Sequence, residues 1–398
     1  MGIVGAGIIG LAVARQLAAG GVKVKVFEKE AEVARHQTGH NSGVVHAGIY
    51  YAPGSAKARM TRRGVSLLRD YCAERGLTYD ERGKLVVARD EAESVKLREL
   101  ERRSQANGVP GIQWLSGPEL RELEPGVAGT AALLSPTTAI VDYRAITRSF
   151  GSDLLSSGGE LHLGTAVTGV RRVSDDRVEI DTPGGAHTMS RLVICAGLQA
   201  DLLAAAAGDE RAPEIIPFRG EYLRLRPHAV GRVRRLIYPV PDPRYPFLGV
   251  HLTPRVDGTA DLGPNAVLAL AREGYRRSDV SLDELGRLAS SGAFWRLARQ
   301  HWATGVRELR GSLWRRAYLA EARTYLPWLR MSDVTGAPAG VRAQAVDPNG
   351  ALVDDFRISQ AGPVTSIRNA PSPAATASMA IAEYIVASLE LPTGKESR

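Results

Sequence analysis

The chain has 398 residues and a formal net charge of +8. Its hydrophobic content of 44% and charged content of 24% are ordinary for a globular enzyme and exclude a largely disordered chain. The basic residues are scattered and accompany no nucleic-acid motif, so we expect no nucleic-acid partner. No run of 18 apolar residues occurs, and Cys72 and Cys195 fit no metal or redox spacing. We therefore expect a reduced, cytoplasmic protein with two cores and no bound metal.

The first predicted elements surround a glycine-rich turn. Strand 2–5 and helix 8–19 flank the residues Gly5, Ala6, Gly7, Ile8, Ile9 and Gly10. Gly5 permits the tight turn, Gly7 lets the backbone approach a pyrophosphate, and Gly10 lets the helix pack closely on the strand. The helix N-terminus adds free amides and a partial positive charge. Because only Ile3 and Val4 precede the turn, we expect a short first strand or a start further upstream.

A second predicted strand, 22–28, ends at Glu28. A carboxylate at this position is placed to accept hydrogen bonds from a ribose hydroxyl, and it would repel the 2′-phosphate of NADP. The succession of strand, glycine turn, helix, strand and acid therefore predicts a dinucleotide site.

Later segments favour FAD over NAD as the dinucleotide. Nicotinamide dehydrogenases do not usually follow the acid with a polar run such as 40–51, whereas a flavin needs backbone and small polar side chains along its ribityl chain. Strand 192–196 ends in a small-residue turn similar to one that closes over the cofactor in two-domain FAD proteins. The sequence has no second glycine motif for NAD(P)H and no CxxxxC redox pair, which disfavours disulfide reductases.

A proline-containing run at 369–376 opens the last predicted helix, 374–389. A helix N-terminus there can stabilise negative charge on the reduced flavin, although plain capping by Ser372 would also suit the sequence. The residues that we expect to contact FAD are Gly5, Gly7, Ile8, Ile9, Gly10, Glu28, Lys29, His40, Asn41, Ser42, Val167, Cys195, Ala196, Gly197, Asn369, Pro371, Ser372, Pro373 and Ala374.

The remaining patterns predict an α/β fold in which two domains are interleaved. Further strands are expected at 85–88, 159–169, 177–181, 217–226, 247–253 and 364–368, and further helices at 54–76, 91–107 and within 281–330. We assign a Rossmann-type FAD-binding domain, three-layered and glutathione-reductase-like, to 1–78, 142–208 and 335–398. An α+β substrate domain with an antiparallel sheet takes 79–141 and 209–334.

Seven motifs together resemble the L-2-hydroxyglutarate oxidase/dehydrogenase family, within the D-amino-acid-oxidase-like flavoproteins. They are colinear over nearly the whole chain, at 40–51, 217–222, 247–253, 262–267, 272–275, 340–344 and 369–376. The resemblance implies oxidation of a 2-hydroxy acid, L-2-hydroxyglutarate to 2-oxoglutarate, by hydride transfer to flavin N5, with oxygen or quinone as the electron acceptor. A flavin enzyme of an amine, an amino acid or a biosynthetic intermediate is the alternative, and a non-catalytic flavin-binding sensor is a third hypothesis.

Oxidation of a 2-hydroxy acid requires a base for the hydroxyl proton and cations for the carboxylates. His251, on an alternating strand of the substrate domain, is the first candidate base, and His46, beside the flavin segment, is the second. Arg219 and Arg342 lie in family-like motifs, where each could bind a carboxylate or form a structural ion pair. The candidate hydroxyl donors are Tyr50 and Tyr222.

The predicted helical stretch 294–328 interleaves tryptophans with arginines. A helical layer that buries tryptophan and solvates arginine explains this composition most simply. Peripheral contact with a membrane surface, which would suit a quinone acceptor at the inner face of the cell membrane, is the alternative, and stacking on nucleic acid is a third.

Overall fold

A computed structural model of the protein describes residues 1–241 and 249–389. Its strands are β1 Gly2–Val4, β2 Lys25–Phe27, β3 Val44–Val45, β4 Tyr79–Asp80, β5 Lys84–Ala88, β6 Gln113–Ser116, β7 Ala131–Ser135, β8 Ala139–Val141, β9 Glu160–His162, β10 Gly169–Ser174, β11 Arg177–Thr182, β12 Gly185–Met189, β13 Leu192–Ile194, β14 Glu214–Gly220, β15 Leu223–Leu225, β16 Leu236–Pro239, β17 His251–Pro254, β18 Ala260–Gly263, β19 Val267–Leu268, β20 Val334–Gly336, β21 Gly340–Val346, β22 Arg357–Ala361 and β23 Val364–Asn369.

The helices of the described residues alternate with these strands. They are α1 Ile8–Ala19, α2 Ala56–Glu74, α3 Glu91–Ala106, α4 Gly117–Leu123, α5 Tyr143–Ser156, α6 Ala200–Ala206, α7 Pro227–Val230, α8 Leu282–Ser290, α9 Gly292–Leu313, α10 Arg315–Arg323 and α11 Ala374–Ser388. Among them, none combines the length and the apolar character that crossing a bilayer requires.

A six-stranded sheet, in the order β22-β23-β13-β1-β2-β9, gathers strands from distant parts of the chain. β1 runs parallel to β2 and β13, and β13 runs parallel to β23. Because Val4 pairs with Ile194, the strands β1 and β13 end side by side. The glycine turn after β1 and the turn after β13 therefore leave the sheet at the same edge, where ligands of open parallel sheets bind.

This sheet is the middle of three layers, as the sequence predicted. On one face the helices α1, α2, α5 and α11 bury apolar stripes that include Leu11, Leu68, Phe150 and Ile381. On the other face, the antiparallel sheet β10-β11-β12 covers Phe27 and its neighbours. The two apolar cores leave only the carboxyl edge of the sheet for a ligand.

An eight-stranded sheet, in the order β20-β15-β18-β17-β16-β5-β7-β6, forms the second body of the protein. Its neighbouring strands pair in an antiparallel manner except β16 and β5, which are parallel. Side chains of β5 alternate between two cores, because Leu85 packs with Leu319 of α10 while Val86 packs with Leu97 of α3. Both faces of β5 are therefore buried.

A three-stranded sheet, β19-β14-β21, crosses the predicted domain boundary at residue 335. β14, from the predicted substrate domain, pairs with β21, from the predicted FAD-binding domain, over the whole run from Glu214–Val346 to Gly220–Gly340. The sequence predicts a strand at 217–226 but none at 340–346, so β21 and its pairing with β14 were not expected. The division into domains stays a prediction.

Several predicted strands differ in extent from the structure. Residues 163–168 of the predicted strand 159–169 lie between β9 and β10, because Gly164 turns the chain with a φ of +64°. The strand predicted at 22–28 is reduced to β2, 25–27. Of the strand predicted at 247–253, residues 247 and 248 lie outside the described residues, and β17 begins at His251.

Candidate active site

A cavity of about 850 Å³ lies at the carboxyl edge of the parallel sheet and extends to the eight-stranded sheet. All nineteen residues predicted to contact FAD line it: Gly5, Gly7, Ile8, Ile9, Gly10, Glu28, Lys29, His40, Asn41, Ser42, Val167, Cys195, Ala196, Gly197, Asn369, Pro371, Ser372, Pro373 and Ala374. Residues from the six-stranded sheet, from the loop before β3 and from the start of α11 thus surround one space, as a single extended ligand would require.

The glycine turn is held by close backbone packing at this edge. Gly5 has a φ of +98°, and a Cβ there would lie 2.5 Å from the Cys195 carbonyl oxygen. A Cβ at Gly10 would lie 2.0 Å from the Gly5 carbonyl oxygen, so both positions exclude side chains. α1 begins after Gly7 without a capping side chain, and the Ile8 amide donates to Thr38 Oγ1 at 3.1 Å. The following amides of this helix end remain available to an anion such as a pyrophosphate.

Glu28 supports the glycine turn directly. One carboxylate oxygen accepts the Ala6 amide at 2.7 Å, and the other accepts the Glu30 amide at 3.0 Å. The side chain is 8% exposed and lines the cavity, so its remaining lone pairs face the space predicted for the ribose. Contact with the ribose stays a prediction.

Lys29 stands at the centre of a polar cluster beside Glu28. Its ammonium donates to Glu273 at 2.9 Å and to Glu30, and it lies 2.8 Å from His36 Nε2. Burial opposes the charge, but the hydrogen bonds to Glu30 and Glu273 outweigh it and raise the pKa of Lys29. Lys29 therefore anchors the segment 272–275 to the cofactor side of the cavity.

His251 faces the cavity from the start of β17. Its Nδ1 lies 3.0 Å from the Gly249 carbonyl oxygen, and its ring stacks on Tyr238 at 4.0 Å between centroids. A carbonyl can only accept, so Nδ1 carries the proton and Nε2 keeps its lone pair. Burial lowers the pKa of His251 to about 3, so the ring is neutral at pH 7. A neutral imidazole with a lone pair on Nε2 can accept a proton, although the low pKa makes it a weak base in the free site.

His46 faces the same cavity from the loop after β3. Its Nδ1 lies 3.5 Å from Lys84 Nζ. Burial, with the charge of Lys84 as the next cause, holds the pKa of His46 well below its usual range. Both candidate bases are therefore neutral in the folded protein.

Arg342 brings a cation to this part of the cavity from β21. The Arg342 side chain lies deep in the protein. Its accessible surface faces the cavity rather than the outside. Burial lowers the pKa of Arg342, while the nearby Tyr222 favours the charge. Burial raises the pKa of Tyr222 to about 12, so its hydroxyl stays protonated and can donate.

The structure places two predicted site residues elsewhere. Arg219 is 7% exposed and does not line the described cavity; it donates to Glu221 at 3.2 Å and to the Arg276 carbonyl at 3.3 Å. Tyr50 does not line it either, and its ring lies 5.2 Å from Lys84 Nζ. Alternation along β14 explains the first case, since Phe218 and Gly220 face the cavity and Arg219 points away. Arg219 and Tyr50 therefore lie outside the cavity lining, and the substrate contacts predicted for them stay predictions.

Lys84 is a residue of this site that sequence reasoning missed. It begins β5, is fully buried, and contacts His46 from behind the cavity wall. A lysine at the start of a strand is normally solvated. The only sign of this residue in the sequence is that a charged side chain directly precedes the apolar run 85–88.

The site matches a known family. The sequence model of the protein family described as FAD dependent oxidoreductase (DAO) matches residues 2–388. The chain belongs to the FAD dependent oxidoreductase family. FAD is therefore its cofactor, and the uncapped α1 amides, the side-chain-free turn and the nineteen lining residues fit that molecule.

Several relatives in the FAD dependent oxidoreductase family match over nearly the full chain. L-2-hydroxyglutarate dehydrogenase of Escherichia coli (strain K12) is 42% identical, with 99% of this chain and 94% of the relative covered. The mitochondrial L-2-hydroxyglutarate dehydrogenase of Caenorhabditis briggsae is 44% identical over 96% of this chain and 91% of its own. The mitochondrial Homo sapiens protein of the same name is 41% identical over 96% of this chain and 87% of its own.

Solved structures of other flavoenzymes share the fold. L-alpha-glycerophosphate oxidase from Mycoplasma pneumoniae, with FAD bound, superposes with a TM-score of 0.78 at 24% identity, covering 97% of this chain and 93% of that one. Glycine oxidase from Bacillus cereus gives a TM-score of 0.71 at 18% identity, covering 96% and 95%. The predicted fold class, an FAD-binding Rossmann domain with an antiparallel-sheet substrate domain, is confirmed.

Proposed function

We propose that the protein oxidises L-2-hydroxyglutarate to 2-oxoglutarate with FAD. The observation that carries the proposal is that His251, protonated at Nδ1 with a lone pair on Nε2, and the cationic Arg342 line the same FAD cavity. A proton acceptor and a carboxylate-binding group are what a 2-hydroxy acid requires. The shared name of the relatives that are 41–44% identical supports L-2-hydroxyglutarate as the substrate.

The chain's own residues prepare the substrate for the reaction. FAD, when bound, supplies the acceptor for the two electrons and the hydrogen that leave the substrate carbon. Arg342 binds a substrate carboxylate through its two-pronged guanidinium. His251 takes the hydroxyl proton at Nε2, while Gly249 holds the Nδ1 proton and steadies the resulting imidazolium.

Binding of the substrate changes the basicity of His251. In the free site the pKa of His251 is about 3, which would make it a weak base at pH 7. A doubly negative substrate beside the ring favours the imidazolium and raises that pKa. We therefore expect the substrate's own charge to help activate the base.

Anaerobic mixing tests the substrate. L-2-hydroxyglutarate should bleach the flavin absorbance, and 2-oxoglutarate should accumulate in equal amount. A panel of amino acids and amines is the matched control. Bleaching by a member of that panel and none by L-2-hydroxyglutarate would replace this proposal with the amine or amino-acid alternative.

A second proposal concerns the acceptor: we propose contact with an anionic membrane through α9, with quinone rather than oxygen receiving the electrons. Trp302, Val306 and Leu309 are spaced along one face of the helix, and their side chains are 68%, 59% and 52% exposed. Trp295 and Trp314, 58% and 60% exposed, precede and follow this stripe in the chain. The exposed cations beside it are Arg299, Arg310, Arg315 and Arg316. Exposed tryptophan with flanking arginine suits the lipid interface.

Vesicle sedimentation tests the membrane contact. The protein should bind vesicles containing phosphatidylserine more than neutral ones, and Trp302→Gln with Leu309→Gln should abolish the difference. Leu155→Gln, at another exposed apolar position on α5, is the control and should change nothing. Equal sedimentation of all three proteins would end the membrane proposal, and faster reoxidation by oxygen than by a soluble quinone would end the quinone proposal.

A further inference from the structure

Lys84 is a buried cation with an unusual environment. It is fully buried, and within residues 1–241 and 249–389 it forms no ion pair with a carboxylate. Its Nζ lies 3.5 Å from His46 Nδ1, 4.2 Å from the centre of the Tyr238 ring and 5.2 Å from the centre of the Tyr50 ring. Burial of an ammonium group is costly, and aromatic faces offset only part of that cost. Among the described residues, its one polar contact is with His46.

The contact fixes the position of a proton on His46. A lysine amine carries N–H donors in both of its protonation states, and the ammonium form has no acceptor at all. A neutral amine could also accept, but below the folded pKa of Lys84, about 7, the group is an ammonium. His46 Nδ1 then accepts, which leaves the ring proton on Nε2. His251 is arranged in the opposite way, because its Nδ1 donates to the Gly249 carbonyl at 3.0 Å. The two histidines of the cavity thus hold opposite tautomers.

We propose that Lys84 is a positioning residue that holds His46 as a neutral donor at Nε2 and so assigns proton abstraction to His251. Resting on the proposed oxidation of a 2-hydroxy acid, the assignment gives each ring one task. His251 accepts the hydroxyl proton, and His46 donates to an oxygen bound in the cavity. Without Lys84, His46 could carry its proton on either nitrogen and compete for the hydroxyl proton.

The charges around both rings agree with this division. His46 faces the cations Lys84, Lys57 and Arg342 as well as His251, and His251 faces Lys84 and Arg342. Next to burial, Lys84 is the first of these charges to lower the pKa of His46. Removal of its charge should raise the pKa of both histidines, and of His46 most.

Nitrogen chemical shifts of the FAD-bound protein, labelled with ¹⁵N-histidine, test the proposal without any substrate. At pH 6, where Lys84 is charged, wild-type His46 should show a protonated Nε2 and His251 a protonated Nδ1, with signals assigned through His46→Gln and His251→Asn. Lys84→Met removes the donor and should return His46 to a mixture of tautomers. Lys84→Gln keeps an N–H donor and should preserve the wild-type form.

Lys57→Met is the matched control. Lys57 is also buried near His46, but its ammonium donates to Asp354 at 2.9 Å rather than to a histidine. The His46 tautomer should be unchanged in this variant. A protonated Nδ1 on His46 in the wild type, or the same tautomer in Lys84→Met as in the wild type, would overturn the proposal.

A second measurement separates positioning from mere support of the fold. The acid limb of the rate of flavin reduction by L-2-hydroxyglutarate should move up by roughly 1 pH unit in Lys84→Met, because histidines with raised pKa values protonate earlier. A uniform loss of rate with an unmoved limb would overturn the catalytic half of the proposal. If L-2-hydroxyglutarate fails to reduce even the wild-type flavin, the proposed function falls, whereas the tautomer result stands.

Discussion

Replacement of Lys84 by methionine should stabilise the folded protein in a strongly pH-dependent manner. Burial lowers the pKa of Lys84 from 10.5 to about 7. At about 1.36 kcal/mol for each pKa unit, the folded state loses about 5 kcal/mol by holding the charged form. Methionine has a similar shape and no charge, so it removes this cost while giving up the contacts to His46 and the tyrosine rings.

Proton linkage determines whether the stability of the wild type rises or falls with pH. Between the folded pKa near 7 and the unfolded value of 10.5, the unfolded chain binds the extra proton, so the wild type gains stability as the pH rises. That gain is lost as the pH falls through 7. The advantage of Lys84→Met should therefore shrink by about 2.5 kcal/mol between pH 6 and pH 9.

Urea unfolding of the FAD-saturated proteins at several pH values measures this change. Lys57→Met is the control, since it removes another buried lysine, one that is paired with Asp354. A difference between wild type and Lys84→Met that is constant from pH 6 to pH 9 would refute the reasoning, because Lys84 would then carry the same charge in the folded and unfolded states.

Three further predictions concern the cavity. Glu28→Ala leaves two amides without their acceptor, at a cost of about 1–3 kcal/mol each. Titration of the apoprotein should therefore show FAD affinity at least about 10-fold weaker, and the loss should be smaller in Glu28→Gln. The rate of flavin reduction at saturating FAD should change little. His251→Asn should keep FAD but slow anaerobic flavin reduction by roughly 100-fold, and a near-normal rate would return the base role to His46. Arg342→Met should cost about 2–5 kcal/mol in kcat/KM, whereas Arg219→Met should mainly lower the melting temperature; equal kinetic losses would contradict their placement on opposite sides of the cavity wall.

The cofactor half of the site could be predicted from the sequence because its requirements are local. Gly5 and Gly10 are demanded by backbone contacts within a single turn, and the spacing to Glu28 follows from one strand, one helix and one more strand. Backbone geometry of this kind requires particular residues within a short stretch of sequence. The segments around Cys195 and Pro371 follow the same logic, since each ends a strand or opens a helix at the sheet edge.

The substrate half could be predicted only in part because it depends on how distant strands pair. Arg219 and Arg342 look alike in the sequence, yet alternation along β14 turns Arg219 towards Glu221, while β21 directs Arg342 into the cavity. Lys84 was missed for a similar reason. Its burial arises from residues far away in the chain, such as Tyr238 and His46, and no local pattern distinguishes it from a solvated lysine.

The ladder between β14 and β21 bears on how substrate enters. It runs unbroken from Glu214–Val346 to Gly220–Gly340, and it carries Arg342 near its centre, opposite Phe218. A hinge motion that separated these two strands would break their backbone hydrogen bonds and would move the Arg342 guanidinium away from His251. We therefore expect Arg342 to be held in its binding position before the substrate arrives. Any motion that admits the substrate should then be confined to the loops around the cavity mouth.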